Sequence, residues 1–454
     1  MNIIYSNYCY LDLACGHGRF TGHYGEIKKE WYRDSMKKKI FVSAFACDPT
    51  IGSEPGVGWH WALELSKYYE IWVLTVEEDH GSISSKIEKY FREHPNENRG
   101  IHFLYYDLPK PIRFLKKNIM GMRFYYILWQ FAVNGIIKRI MEENNIEIFH
   151  LLTYGNMIWP ISNYGQGKRF IWGPTGGMDV IEREYSKYYS PKSKSFEAIR
   201  RFIVGFQKMT PGFHRKCKNA DLILCKAQST IDSIPQQYRN KAILFTDVAM
   251  SQFREKKTAL KKNKSADLLF LSAGHMDAWR GFDMLIEAFS ELHAKHESVK
   301  LVILGKGTEK DYLDKLTKKL GAESYIMLPG EVSMDEYTEL MIDCDVVVNS
   351  CLKEGGVTNA FDCMSWGKPL ICVDTGGYTR NFDSRSAHII PRVHNRDEMI
   401  RLLYDAMLKM CDDYTRIMYS SEITKRGKEF EWSRKGEEIH NLIDSYIKIW
   451  EANK

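Results

Sequence analysis

Glu354 and Asp362 are the two side chains whose type and spacing most readily do chemistry in this sequence of 454 residues. Between them run Gly355, Gly356, Val357, Thr358, Asn359, Ala360 and Phe361, and behind them come Met364, Gly367, Lys368 and Pro369. The apolar run Val346 to Asn349 reads as a strand. That leaves Glu354 in the following loop and Asp362 about two helical turns further on, so both carboxylates can look onto one face. Carboxylate oxygens are natural acceptors for the hydroxyls of a neutral sugar. A carboxylate capping a helix is the competing reading for Glu354, because acids favour the first turn.

Two further turns lie between a strand and a helix. Ala46, Cys47, Asp48, Pro49, Thr50, Ile51, Gly52, Ser53, Glu54, Pro55, Gly56, Val57 and Gly58 lead to a helix start expected at Trp59. Glycines there let backbone amides approach an anion with the helix dipole behind them, although a tight turn needs glycine for its geometry anyway. In the second turn Gly274, His275, Met276, Asp277, Ala278, Trp279, Arg280 and Gly281 precede a helix from Phe282. A guanidinium at a strand end can make paired hydrogen bonds to a diphosphate; taken alone, a solvated loop arginine is the better account. Asp343, Cys344 and Asp345 stand at the entrance of an apolar strand, where Asp345 reads as a turn or strand-cap residue, so no metal and no cofactor are expected.

The elements that must position these residues alternate. Strands are expected at Ile40 to Phe45, Ile71 to Val76, Ile101 to Tyr105, Ile146 to Leu152, Phe170 to Gly173, Leu222 to Cys225 and Ile243 to Phe245. After a Lys-rich break at Arg254 to Ala266 they resume at Leu268 to Ser272, Val302 to Leu304, Tyr325 to Leu328, Val346 to Asn349 and Leu370 to Val373. Amphipathic stretches separate them, which is the pattern of parallel βα units and of an α/β fold with two doubly wound sheets. The expected division is 37–250, 251–432 and a C-terminal amphipathic helix in 433–454 carrying Ile439, Leu442, Ile443 and Tyr446 on one face. Residues 1–36 have neither an apolar signal core nor any period, and Met36 precedes the first strand; they are expected to be a poorly ordered upstream extension.

A formal charge of +6 is small for this length and argues against nucleic acid as a partner, while leaving room for a local basic patch. The ten cysteines show no CxxC pair and read as buried, reduced thiols of a cytoplasmic protein. No GxGxxG opens either half, which disfavours a dinucleotide dehydrogenase. From Leu108 to Ile140, Lys110, Arg113, Lys116, Lys117 and Arg123 interleave with Phe114, Phe124, Tyr125, Tyr126, Trp129 and Phe131. Lys116, Arg123, Gln130 and Asn134 share one narrow helical stripe. The helix is expected to be mostly buried, with contact to an anionic membrane through 108–131, chiefly its Leu108 to Lys117 lead-in.

The run from Glu354 to Pro369 resembles the acidic motif of the family-4 retaining glycosyltransferases, where two acids flank seven residues and Gly-Lys-Pro closes the helix. Gly274 to Phe289, the Gly-x-Gly turn ending Leu301 to Gly307, Leu328 to Val332, the Gly52 to Gly58 loop, the strand ending in His150, and Gly173 to Gly177 are similar to that family as well. The resemblance covers the chain from about Lys37 onward. It implies the GT-B architecture, an acceptor-side domain followed by a donor-binding one, and a nucleoside-diphosphate sugar as donor.

Residue by residue, it implies that Glu354 contacts donor-sugar hydroxyls, His150 lines the sugar pocket as the second catalytic candidate, and Asp362 holds the ribose. Arg280 would bind the diphosphate with the Gly52, Gly56 and Gly58 amides. Gly274, His275, Gly281, Gly330, Val332, Gly355, Gly356 and Val357 would complete the donor site, and Gly176 and Gly177 the acceptor-side loop. Asp362 stands where Glu is usual, His275 where Arg is usual, Arg280 where Lys is usual, and Arg380 where an acid is common. The implied reaction moves a sugar with retention to a glycan or lipid-linked acceptor, the leaving diphosphate being stabilised without a metal. A nucleotide-sugar epimerase and a catalytically silent nucleotide-sugar-binding subunit are the alternatives.

Overall fold

The computed structural model describes residues 37–97, 100–117, 119–159, 161, 168–250, 267–353, 358–377 and 381–452. Strands β1 (Lys39–Ser43), β2 (Glu70–Thr75), β3 (Ile101–Tyr105), β4 (Ile148–Leu151), β5 (Arg169–Thr175), β6 (Leu222–Cys225) and β7 (Ala242–Leu244) form a parallel sheet in the order β3-β2-β1-β4-β5-β6-β7. Both faces of this sheet are covered, which is why its strands read as continuous apolar runs. Along β1, Ile40 and Val42 face Trp59, Trp61 and Leu65, while Phe41 between them faces the cluster of Tyr125, Tyr126 and Trp129.

A second parallel sheet contains β8 (Leu268–Ala273), β9 (Val299–Leu304), β10 (Ile326–Gly330), β11 (Val346–Asn349), β12 (Leu370–Val373) and β13 (His388–Ile390), in the order β10-β9-β8-β11-β12-β13. In each sheet the strand order reverses beside its first strand, between β1 and β4 and between β8 and β11. Such switch points leave a crevice at the carboxyl ends of the strands. Strand β13 was not expected: three residues opening on a histidine carry too little apolar pattern to stand out.

Six helices matter to the cleft and its surroundings: α1 (Ser53–Ser66), α2 (Ile119–Ala132), α3 (Pro191–Met209), α4 (Phe282–His293), α5 (Thr358–Trp366) and α6 (Trp432–Ala452). Helix α1 starts at Ser53, six residues before the expected Trp59. Glu54 suits the positive end of the helix dipole, and Pro55 lacks only an amide proton that the first turn leaves unpaired in any case. The apparent glycine loop is therefore largely helix. In α2, Gln130 is buried with Tyr125, Tyr126 and Trp129, whereas Phe124, Leu128 and Phe131 are exposed, so the expected polar stripe is not its solvent face.

Helix α6 returns to the first sheet. The His440 ring stacks on Tyr68 at 4.0 Å, Lys38 pairs with Glu451 at 2.7 Å, and Gly436 lies against Glu64. Traffic also runs the other way. Ile181, Tyr185 and Tyr189 leave the first half of the chain and join the core of the second sheet, where Arg392 bonds Glu182 at 2.7 Å. All eight cysteines among the described residues are free, and only Cys411 is not fully buried.

Candidate active site

Between the carboxyl ends of the two sheets lies a cavity of about 1080 Å³. Its first-domain wall is made by the start of α1 with Gly52, Glu54 and Gly56, by Gly176 and Gly177 after β5, and by Lys226 and Asp247 after β6 and β7. The opposite wall contains Gly274, His275 and Arg280 after β8, Val332 and Tyr337 after β10, and Asn359, Phe361 and Asp362 of α5. Both walls are strand ends and helix starts, the parts of a doubly wound sheet whose amides point at a ligand.

The Arg280 guanidinium is braced from several directions. It stacks on the Trp279 ring at 4.3 Å from the centroid, its Nη1 donates to Cys351 Sγ at 3.0 Å, and its own carbonyl accepts from Ser350 Oγ at 2.8 Å. A Cβ on Gly274 would sit 3.2 Å from the guanidinium carbon, so a glycine at that position leaves the arginine its place. A planar cation held by stacking is pre-organised for paired hydrogen bonds to phosphate oxygens. Beside it, His275 Nδ1 lies 3.2 Å from Asp277 Oδ2.

Asp362 is reached by Tyr337 Oη, which donates across 2.8 Å; burial first, then the Asp362 charge, hold the phenol well above its usual range. Asn359 Nδ2 donates to the Ala273 carbonyl at 3.2 Å, and its Oδ1 accepts from Asn349 Nδ2 at 3.2 Å, so α5 is tied to the ends of both β8 and β11. Across the cleft Lys226 forms an ion pair with Asp247 and lies 3.8 Å from Glu54, whose Oε1 accepts from the Tyr154 amide at 2.7 Å. The first-domain wall thus carries Asp48, Glu54, Asp179 and Asp247 with Lys226 among them, while the opposite wall sets Arg280 and Lys306 against Glu331 and Asp362.

Gly52, Gly56, Gly176, Gly177, Gly274, His275, Arg280, Val332 and Asp362 come together around the cavity. Gly330 ends β10, where its carbonyl accepts from the Gly305 amide at 2.8 Å, and Gly281 starts α4 packed against Ser350. Glu354, Gly355, Gly356 and Val357, like Arg380, lie outside the described residues. Two expectations need correction. Gly58 does not present its amide to the cavity: it is the sixth residue of α1, beyond the unpaired first turn, and its missing side chain lets the helix touch Ala46. His150 does not line the cavity either.

His150 sits inside β4, fully buried, with Nε2 at 2.7 Å from the Gly173 carbonyl and the Trp61 ring at 5.4 Å. Burial lowers its pKa to about 4. Nε2 must carry a proton to bond a carbonyl, and with a pKa of about 4 the ring is neutral near pH 7, leaving Nδ1 buried without a hydrogen-bond partner among the described residues. In a sheet covered on both faces, a strand residue is inside whichever way it points. Sequence reasoning does not reach Lys226, Asp247 and Tyr337, which also line the cavity. The first two follow strands, and that position was the available signal.

The Asp343–Asp345 pair is structural: Asp343 ends a helix and Asp345 Oδ2 accepts from the Leu269 amide at 2.9 Å. Among the described residues, no three His, Cys, Asp or Glu side chains converge as a metal site, and no helix is long and apolar enough to cross a membrane.

Residues 253–416 match the family described as glycosyl transferases group 1. Over 217 residues the chain is 27% identical to the N-acetylgalactosamine-N,N'-diacetylbacillosaminyl-diphospho-undecaprenol 4-alpha-N-acetylgalactosaminyltransferase of Campylobacter jejuni, a match covering 47% of this chain and 57% of that one. The matched stretches span between 28% and 57% of the length of this relative and two uncharacterized glycosyltransferases, from Methanocaldococcus jannaschii and Haemophilus influenzae. Among solved structures, the chain resembles WaaG, a glycosyltransferase involved in lipopolysaccharide biosynthesis, with a TM-score of 0.54 at 13% identity over 89% of this chain and 99% of that one. It also resembles Anabaena HepE, solved in complex with UDP and glucose, with a TM-score of 0.53 at 11% identity over 90% of this chain and 100% of that one. At these identities the likeness shows the fold, which is GT-B.

Proposed function

We propose that this chain, a member of the glycosyl transferases group 1 with the GT-B fold, moves a sugar from a nucleoside-diphosphate donor to a hydroxyl of a glycan or lipid-linked acceptor. The reading rests above all on one observation: the braced Arg280 guanidinium, the Asp362 carboxylate and the amino end of α1 all border the same interdomain cavity. A nucleoside diphosphate needs those three things, namely an acceptor for ribose hydroxyls, a planar cation for the diphosphate and unpaired amides at a helix start. UDP and GDP sugars are the proposed donors, and HepE supplies the UDP precedent.

In this reading the bond from the anomeric carbon to the diphosphate oxygen breaks with retention, and Arg280 takes up the charge that develops on the leaving group. Glu354 meets the sugar hydroxyls. Neither a metal nor a cofactor is invoked, and the product belongs to a cell-surface polysaccharide. The proposed site of action is the cytoplasm, at the inner face of a membrane; the exposed Phe114, Phe124, Leu128 and Phe131 within 108–131 support contact there.

The test is thermal unfolding with UDP, GDP, ADP, CMP or dTDP, wild type beside Arg280→Ala. One nucleotide should raise the midpoint of the wild type and leave that of the variant unmoved. If none of them shifts the wild type, the donor site is not where it is placed and the proposal fails.

A further inference from the structure

Helix α3 touches the protein along a line and presents the rest of its surface outward. Of its 19 residues only Ser193, Glu197 and Val204 are buried. Opposite that line stand Phe196, Ile199, Phe202, Ile203, Phe206 and Met209, between 42% and 73% exposed, and the Phe202 and Phe206 rings stack at 6.1 Å. Their spacing puts them on one stripe of a helix about 28 Å long. Six large apolar side chains in an unbroken row are far beyond the scattered exposed residues of an ordinary surface.

The charges beside the stripe decide what covers it. From Pro191 to Asn219 the chain carries eight cations and a single acid, Glu197; Lys216 is buried, and Arg200 and Arg201 bond inward to the carbonyls of Gly177, Asp179 and Ile181, which leaves Lys192, Lys194 and Lys208 as the exposed cations of α3. That acid is buried and bonded to Lys353, so every exposed charge of α3 is positive. A twofold contact with a second copy, centred on Phe202, would set Lys194 of each copy beside Lys208 of the other, which like-charge repulsion disfavours. An apolar stripe flanked by the exposed lysines Lys192, Lys194 and Lys208 fits the boundary of an anionic lipid bilayer, where rings enter the acyl region and cations stay among the headgroups.

We propose that α3 is a docking surface for an anionic membrane. It is distinct from 108–131, although Val204 joins α3 to the same core cluster as Tyr125 and Trp129 of α2. It also stands independently of the proposed sugar transfer, because membrane binding can be read without any turnover.

Co-flotation with phosphatidylcholine vesicles, with and without phosphatidylglycerol, tests it on the full chain. The wild type should float with the anionic vesicles only, and added salt should weaken binding. Phe202→Gln with Phe206→Gln should cut binding tenfold or more, and Lys194→Glu with Lys208→Glu should do so on the anionic vesicles. Both pairs should leave the thermal midpoint unmoved, since these side chains support no core. Phe124→Gln with Phe131→Gln separates the α2 contribution. Undiminished flotation of both α3 variants overturns the proposal. So does a wild-type dimer that the phenylalanine pair converts to monomer without changing flotation, which would assign the stripe to a second copy.

Discussion

Lys353 donates to Glu197 across 2.8 Å, joining α3 of the first domain to the residue immediately before Glu354 in the second. The two side chains are only 9% and 3% exposed, so the pair is held in the interior. Burial lowers the pKa of the Lys353 ammonium, Arg200 adds to that, and Glu197 opposes it. The same ammonium stands 5.3 Å from the centre of the Trp279 ring, on which Arg280 also stacks. The contact between the two halves of the chain and the residue that precedes Glu354 therefore share one buried charge.

Removing one member of such a pair leaves the other charged and unsatisfied, which costs about 3–5 kcal/mol. Glu197→Gln should lower stability to urea by that order and reduce the nucleotide-induced shift of the thermal midpoint. The exchanged pair Glu197→Lys with Lys353→Glu should recover a good part of both. A Glu197→Gln protein as stable as the wild type would mean the pair is absent in solution.

The start of α1 offers a contrast between two glycines. A Cβ on Gly58 would come within 2.1 Å of the Ala46 carbonyl oxygen and 3.0 Å of Thr153 Cγ2, whereas one on Gly52 meets nothing within 4 Å. Gly58→Ala has to push the helix off the segments that follow β1 and β4 and should cost roughly 1–3 kcal/mol, the usual range for overpacking a tight interior. Gly52→Ala, at a φ of −74° that alanine adopts freely, should be near neutral in the same urea titration. Equal losses at both positions would show that the helix is not seated as described.

In the proposed function Asp362 holds the ribose, while Tyr337 donates to Asp362 from behind. Asp362→Asn should weaken the nucleoside diphosphate selected by thermal shift about tenfold, the loss of one charged hydrogen bond. Tyr337→Phe removes only the 2.8 Å donor behind it and should weaken binding less. Isothermal titration gives both affinities. If Tyr337→Phe loses more than Asp362→Asn, the hydroxyl itself contacts the ligand and the roles are reversed.

Sequence periodicity disclosed most of both sheets, because strands covered on both faces leave apolar runs such as Leu222–Cys225 and Val346–Asn349. It failed where the local signal is ambiguous. Gly56 and Gly58 read as a loop, although in α1 they are glycines of close approach, and His150 read as a pocket residue, although its strand is interior on both sides. The stripe of α3 is not legible in the sequence for a related reason: the spacing of Phe196, Ile199, Phe202 and Phe206 is also that of a core-facing helix. Lys226 and Asp247 carry no motif, and only the folded chain brings them to the wall that Glu54 shares.

His150 gives stability an acid limb. Burial lowers its pKa from 6.5 to about 4, and His60, stacked on Trp432, is likewise lowered to about 4 mainly by burial. Between those values an unfolded chain binds a proton at each ring and the folded chain does not. Their contribution is therefore full above pH 6.5 and falls away as the pH drops towards 4, at up to about 1.4 kcal/mol per pH unit for each ring. His388 is shifted in the same direction. Urea titrations across that range should show His150→Gln, which keeps a donor for the Gly173 carbonyl, with a shallower slope than the wild type by one proton. Should the two slopes coincide, His150 is reached by solvent, and its assignment to the sheet interior rather than to the sugar pocket would have to be reversed.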